Sequence, residues 1–221
     1  MSKNIYRVFT NVNSFMSYTI SNDNGDPICF VGETSLNKEL QKHVSEVRAS
    51  KIIRLEDVEQ YKSGYQYFCS AGFTGFKLCV IDKICELNPR ANFPTLVHKN
   101  SLCHDTVVLG RGCHVGPFAY VSPGSHLGDF VDVQLYSSIN HADNKLGDFT
   151  YVSPYVKLSE CNLAEGTWLG AYSMLENVTT VKHQQFTASS RVQASVFEQT
   201  GTFRHNKLID NRNSLEYDIN R

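Results

Sequence analysis

The feature that most constrains this 221-residue chain is a six-residue period in its second half. From Val97 an aliphatic residue recurs at every sixth position, as Val97, Cys103, Leu109, Val115, Val121, Leu127, Val133 and Ile139. The series resumes as Leu146, Val152 and Leu158, then as Leu163, Leu169, Leu175, Val181 and Thr187. Four residues after the aliphatic position a small residue is common (Cys113, Ala119, Ser125, Ser137, Thr150, Thr167, Ser173). Glycine follows it directly at Gly110, Gly116, Gly128, Gly147 and Gly170. Two inward positions in six describe a short strand and a corner, with glycine where a Cβ is crowded or φ must be positive. So small a unit cannot bury its apolar residue alone, but stacked units, three to a coil, bury a continuous column. The period predicts a parallel β-helix of about five coils. A sandwich of unrelated strands would not hold one period for about ninety residues.

The period breaks twice, and breaks in a solenoid map to loops that often carry the binding face. Ile139 to Leu146 is seven residues and encloses Asn140-His141-Ala142-Asp143-Asn144-Lys145; Leu158 to Leu163 is five and encloses Ser159-Glu160-Cys161-Asn162. The two lie about one coil apart, so they fall on the same side of the prism. Of the eight histidines, His98 and His104 occupy corners, while His114 and His126 end their units and are expected to face solvent. His141 alone sits in a broken unit with a carboxylate two residues on. An imidazole there suits the removal of a proton from an attacking amine or hydroxyl, and Asp143 could orient it.

Residues 1–92 have a different texture. Strand-like runs at 5–9, Ile28-Cys29-Phe30-Val31 and 65–69 alternate with helical patterns at 35–47 and 76–87, which predicts a small α/β domain. Gly72, Phe73 and Thr74 follow a strand and precede a helix, where backbone N–H groups can meet an anion or a sugar. The expected division is therefore 1–92 for an acceptor-binding domain, 93–196 for the β-helix, and 197–221 for a polar cap and tail.

A formal charge of -1 supplies no field that would draw the chain to nucleic acid or a membrane surface. No apolar stretch is long enough to span a bilayer, and the expected location is the cytoplasm. The seven cysteines contain no C-x-x-C pair and read as small core residues in a reducing compartment. No histidine or cysteine cluster has metal-ligand spacing, so no metal is expected.

Phe93-Pro94-Thr95-Leu96-Val97-His98, Leu109-Gly110, Val115-Gly116, Ser138-Ile139-Asn140-His141, Leu146-Gly147-Asp148-Phe149 and Leu169-Gly170-Ala171 together resemble the PglD/NeuD family of bacterial sugar acetyltransferases. The likeness covers roughly residues 65–190. It implies a left-handed β-helix and a homotrimer with active sites between subunits. It also implies acetyl-CoA as donor, and as acceptor an amino or hydroxyl group of a sugar, commonly nucleotide-linked, in surface-glycan biosynthesis. The family's general base falls on His141, where the family usually continues with Glu or Asp and this chain has Ala142. A second polar position falls on Tyr151 or Thr150, and the glycine whose N–H polarises the thioester falls near Glu160. Gly170 and Ala171 match positions along the pantetheine arm. Residues 187–192, with Ala188 and Arg191, match a run beside the CoA nucleotide, where Arg191, Arg204 or Lys207 could meet phosphates. The family's glycine-rich first turn is absent from residues 8–15. Two other readings stay open: a trimeric binding or structural protein that has lost catalysis, and an acyltransferase with another donor or a non-sugar acceptor.

Overall fold

The computed structural model describes residues 18–21, 25–31, 51–53, 55–61, 63–69 and 74–212. Strands at residues 5–9 and the helix at 35–47 lie outside these, as does the turn at 8–15. From Thr95 onward the chain winds into a parallel β-solenoid of three faces. Face one stacks Thr95–His98, His114–Val115, Asp132–Val133, Tyr151–Val152, Trp168–Leu169, Gln185–Phe186 and Thr202–Arg204. Face two runs from Leu102–Cys103 through Tyr120–Val121, Ser138–Asn140 and Lys157–Ser159. Face three runs from Val108–Leu109 through His126–Leu127 and Lys145–Leu146 to Asn162–Leu163. In the last coils Met174–Thr179 and Arg191–Val196 pass from face two to face three as continuous strands.

Register places like over like. Val97, Val115, Val133, Val152, Leu169, Phe186 and Phe203 form one interior column, and Val121, Ile139, Leu158, Leu175 and Val192 another. All but Val97 are buried in one cluster, and Val97, partly buried, packs against it. Each coil's backbone donates to the next, as in His114 N–H to Val131 O at 2.9 Å and Asp132 N–H to Thr150 O at 2.9 Å. The glycines after the aliphatic residues answer to crowding, not to φ: a Cβ on Gly147 or Gly170 would lie closer than 3.0 Å to the next coil's backbone.

The expected series fails at its end. Phe186, not Thr187, points inward, because the straight passage of 174–179 shortens the corner after Leu175 and makes Val178 the next buried residue. The stack then continues through Val192 and Phe203, giving face one seven coil strands, more than about five coils would hold.

Before the coil stand three parallel strands, β2 (Ile28–Val31) between β3 (Lys51–Ile53) and β4 (Gln66–Cys69), a 3₁₀ turn at Leu55–Tyr61, and one helix, α1 (Thr74–Leu87). Strand β1 (Tyr18–Ser21) leaves this group and pairs antiparallel with Thr95–His98, closing the first end of face one. Lys207–Asp210 pairs antiparallel with Thr202–Arg204 and closes the other. Helix α1 docks on face one, where Phe76 joins a cluster with Phe93 and Phe130. Lys77 reaches Asp132 Oδ2 at 2.5 Å and donates to Phe130 O at 3.3 Å.

Two expectations are corrected here. His114 is not solvent-facing: it is buried, with Nδ1 2.9 Å from Asp132 Oδ1 and its ring near Phe68, because the preceding segment covers this stretch of face one. His126 is exposed as expected. Cys29, Cys69, Cys113 and Cys161 are buried, whereas Cys79 on α1 is exposed. None of the seven cysteines is joined in a disulfide among the described residues.

Candidate active site

Both period errors fall on the corner between faces two and three. In the regular coil this corner is Ser122-Pro123-Gly124-Ser125; in the next it is His141-Ala142-Asp143-Asn144, preceded by a strand lengthened to Asn140; in the one after it shrinks to Glu160-Cys161. The extra residue is absorbed by two left-handed residues in one corner, His141 (φ 60°) and Asp143 (φ 68°). Asn144 holds the bulge in shape. Fully buried at the inward small-residue position, it donates from Nδ2 to Asn140 O (2.7 Å) and His141 O (2.9 Å), while Oδ1 accepts the Cys161 N–H (2.9 Å). Ser122 Oγ of the preceding coil also donates to His141 O. The backbone of His141 is thus pinned from two coils while its side chain is exposed. Asn144 escaped sequence reasoning, although an amide among Ser125, Cys161 and other small inward residues was a usable signal.

Asp143 is exposed in the same corner, beside Gly124 of the coil before. Among the described residues no hydrogen bond joins its carboxylate to the His141 ring. Glu160, exposed and left-handed at φ 52°, sits in the same corner one coil on. His141, Asp143 and Glu160 therefore form one line along the prism.

The donor candidates form a second line, on the corner between faces one and two. Gly170 and Ala171 lie in one coil and Ala188 in the next, with Arg191 exposed just past the corner. Gly170 spends its N–H on Phe186 O (2.8 Å), so its glycine character serves coil packing. The two lines run along opposite edges of face two. Tyr151 lies on neither: it is buried on face one with its ring 6.1 Å from Trp168 and 7° from parallel. Thr150 points inward and donates to Gly147 O at 2.7 Å. Thr74 opens α1, buried, with Oγ1 3.4 Å from Phe149 O; Gly72 and Phe73 lie outside the described residues. Among the described residues no group of three His, Cys, Asp or Glu side chains could hold a metal, and no helix is long and apolar enough to cross a membrane.

Fold and corner geometry define a class: a hexapeptide-repeat parallel β-helix whose corners carry the polar residues. No family model matches the chain. It is 28% identical over 86 residues to a GDP-perosamine N-acetyltransferase of Escherichia coli O157:H7, covering 37% of each protein. It is 32% identical over 74 residues to the bifunctional protein GlmU of Lawsonia intracellularis, covering 30% of this chain and 16% of that one. The chain thus spans well under two thirds of the curated relatives it matches. Among solved structures, the acetyltransferase domain of PglB from Neisseria gonorrhoeae, in complex with acetyl coenzyme A, superposes with a TM-score of 0.52 at 16% identity. That superposition covers 83% of this chain and all of the other, and it shows a shared fold. The resemblance to hexapeptide-repeat sugar acetyltransferases read from the sequence holds.

Proposed function

We propose that this protein is an acetyl-CoA-dependent acetyltransferase acting on an amino or hydroxyl group of a nucleotide-linked sugar, in the cytoplasm, as a step of bacterial surface-glycan assembly. One observation carries the reading. A chain matching a GDP-perosamine N-acetyltransferase in sequence has one lengthened coil corner, and that corner presents an imidazole on a backbone pinned by Asn144 and Ser122.

In the proposed reaction His141 accepts the proton of the acceptor N–H or O–H as that atom attacks the thioester carbonyl. The new C–N or C–O bond forms, the C–S bond breaks, and the imidazolium returns its proton to the departing thiolate. Asp143 stabilises the imidazolium through space, and the Glu160 main chain one coil on offers an N–H to the developing oxyanion. The donor's pantetheine follows Gly170 and Ala171, and its phosphates lie toward Ala188 and Arg191. Gly72, Phe73 and Thr74 belong to the acceptor side, whereas Tyr151, buried on face one against Trp168, is left out of the site.

The separation of the two corner lines supports a shared site. On one chain the base and the donor residues flank face two from opposite sides, so a ligand touching both corners is most simply held between neighbouring prisms. We assign the protein to homotrimers of left-handed coils with the donor corner of one subunit facing the His141 corner of the next.

Thiol release from acetyl-CoA, measured against a panel of nucleotide-linked amino sugars, tests the chemistry. His141→Ala is expected to lower turnover by about 100-fold or more while leaving the fold intact. Turnover surviving the substitution to within about threefold removes His141 from the role. No thiol release with any acceptor and no CoA binding by the wild type would favour a structural or binding protein.

A further inference from the structure

His141 has a companion on its own edge of the prism. In the first coil the corner between faces two and three is His104-Asp105-Thr106-Val107, and His104 stands where Ser122 stands in the second coil and His141 in the third. The stacking is direct: His104 N–H donates to Val121 O at 3.2 Å, and Ser122 N–H to Ile139 O at 2.9 Å. Ser122 is only 2% exposed, with its hydroxyl turned in toward His141 O, so the rung between the two imidazoles puts no side chain into the space between them. Both histidines are exposed. Two rungs separate them by about 10 Å along the axis. Hydrogen bonds of about 2.8 Å from each ring would leave about 4 Å between the atoms they hold. That is the reach between non-adjacent substituents of one pyranose ring.

The two rings are prepared for different work. Gly124 N–H donates to Thr106 Oγ1 at 3.1 Å, and Thr106 Oγ1 lies 3.0 Å from His104 Nδ1. The Thr106 N–H also points at Nδ1, at 3.3 Å, and only an unprotonated Nδ1 can accept it. The network thus keeps the hydrogen of the neutral ring on Nε2, which has no partner among the described residues, and fixes this imidazole as a donor. His141, by contrast, is held only through its carbonyl, and its ring is free to take a proton. We propose that His104 is the second imidazole of the acceptor site: its Nε2–H donates to a ring hydroxyl of the sugar whose reacting amine or hydroxyl meets His141. A hydroxyl fits better than a phosphate, because Asp105 and Asp143, both exposed, set carboxylates without ion pairs among the described residues beside the slot. The sugar lies across the Ser122 rung, so His104 reads a carbon that is not adjacent to the reacting one. The inference rests on the proposed reaction for the reacting group; the contact itself needs only a sugar in the slot.

Imidazole nitrogen NMR of the full chain, titrated with the panel of nucleotide-linked amino sugars in the absence of acetyl-CoA, tests the contact. His104 of the free protein is expected as the Nε2–H tautomer, and its Nε2–H resonance is expected to move as sugar binds. A Nδ1–H tautomer, or a resonance that no member of the panel moves, overturns the proposal. Kinetics give a second readout. His104→Ala is expected to raise the acceptor KM about tenfold while kcat and the KM of acetyl-CoA stay within about threefold. His104→Gln, whose amide can still donate, is expected to recover most of the loss. Among monodeoxy analogues of the acceptor, the His104→Ala penalty should vanish for the one that lacks the contacted hydroxyl and persist for the others. A penalty unchanged for every analogue, or an acceptor KM unmoved by the substitution, sinks the contact and spares the transferase. Sugar-dependent shifts at His104 without thiol release by the wild type sink the transferase and spare the contact.

Discussion

Asp132 shows how much one residue can be asked to do. Buried on face one, it takes the Lys77 ammonium on Oδ2, His114 Nδ1 on Oδ1, and the Gln134 amide at 3.1 Å. Burial alone would raise its carboxyl, but the attraction of Lys77 and the hydrogen bond from His114 outweigh burial and hold it down to about 2. Burial would likewise lower the Lys77 ammonium, yet Asp132 raises it, so the ion pair persists. A depressed carboxyl contributes stability that is complete above its ordinary value of 3.8 and is lost as pH falls toward about 2. Urea midpoints of the wild type are therefore expected to drop between about pH 4 and pH 2, and Asp132→Asn to flatten that slope while lowering stability at neutral pH. Removing one partner of such a pair, as in Lys77→Met, is expected to cost about 3–5 kcal/mol. Asn144→Ala is the second informative change: it strands the Cys161 N–H and two carbonyls in the bulge. It is expected to cost about 1–3 kcal/mol by chemical denaturation and to depress thiol release with His141 still in place.

At the scale of elements, the corners are where the fold meets resistance. Non-glycine residues with positive φ recur along them, each at a cost of about 1–3 kcal/mol, and stacked rings in adjacent coils offset part of it. The coil's far end depends on three rings, Phe186, Phe197 and Phe203, packed edge to face or tilted at 4.9–6.2 Å. Phe203→Ala is expected to cost about 3–5 kcal/mol and to expose the last rungs first. Hydrogen exchange should accelerate at the Thr187 and Gln185 amides, which donate to Phe203 O and Gly201 O. Up to Leu175 the rungs could be read directly from the period, because one inward aliphatic residue in six leaves no other face to bury. Past Leu175 the reading slipped, since a strand that runs straight through a corner keeps its hydrogen bonds while discarding the period. His114 was misplaced for a different reason. Periodicity says which residues leave the prism, and cannot say which outward face a separate segment will cover. The His141 corner was legible as a register error; the clasp by Asn144 and the alignment of His104 with His141 were not, because each exists only between coils.

For the whole molecule, the distance between the His141 line and the Gly170 line yields a direct test of sharing. If each site is built from two chains, inactive His141→Ala subunits mixed with subunits blocked at the donor corner, for example Ala171→Arg, should regain activity after co-refolding. The gain should track the fraction of mixed trimers, and neither parent alone should show thiol release above its own residual level.

A prism of stacked rungs is by nature extensible, and a bare end would recruit another molecule's strands as readily as its own. Face one is closed to such growth at both extremities, since β1 and Lys207–Asp210 run against the grain of the coil. At the last rung of face two, His205 takes the Arg191 amide that a further coil would have used, and nearby Asn206 Nδ2 lies 2.9 Å from Ser195 Oγ. On face one the number of rungs is thereby fixed within each chain, and that edge offers a neighbour no parallel template.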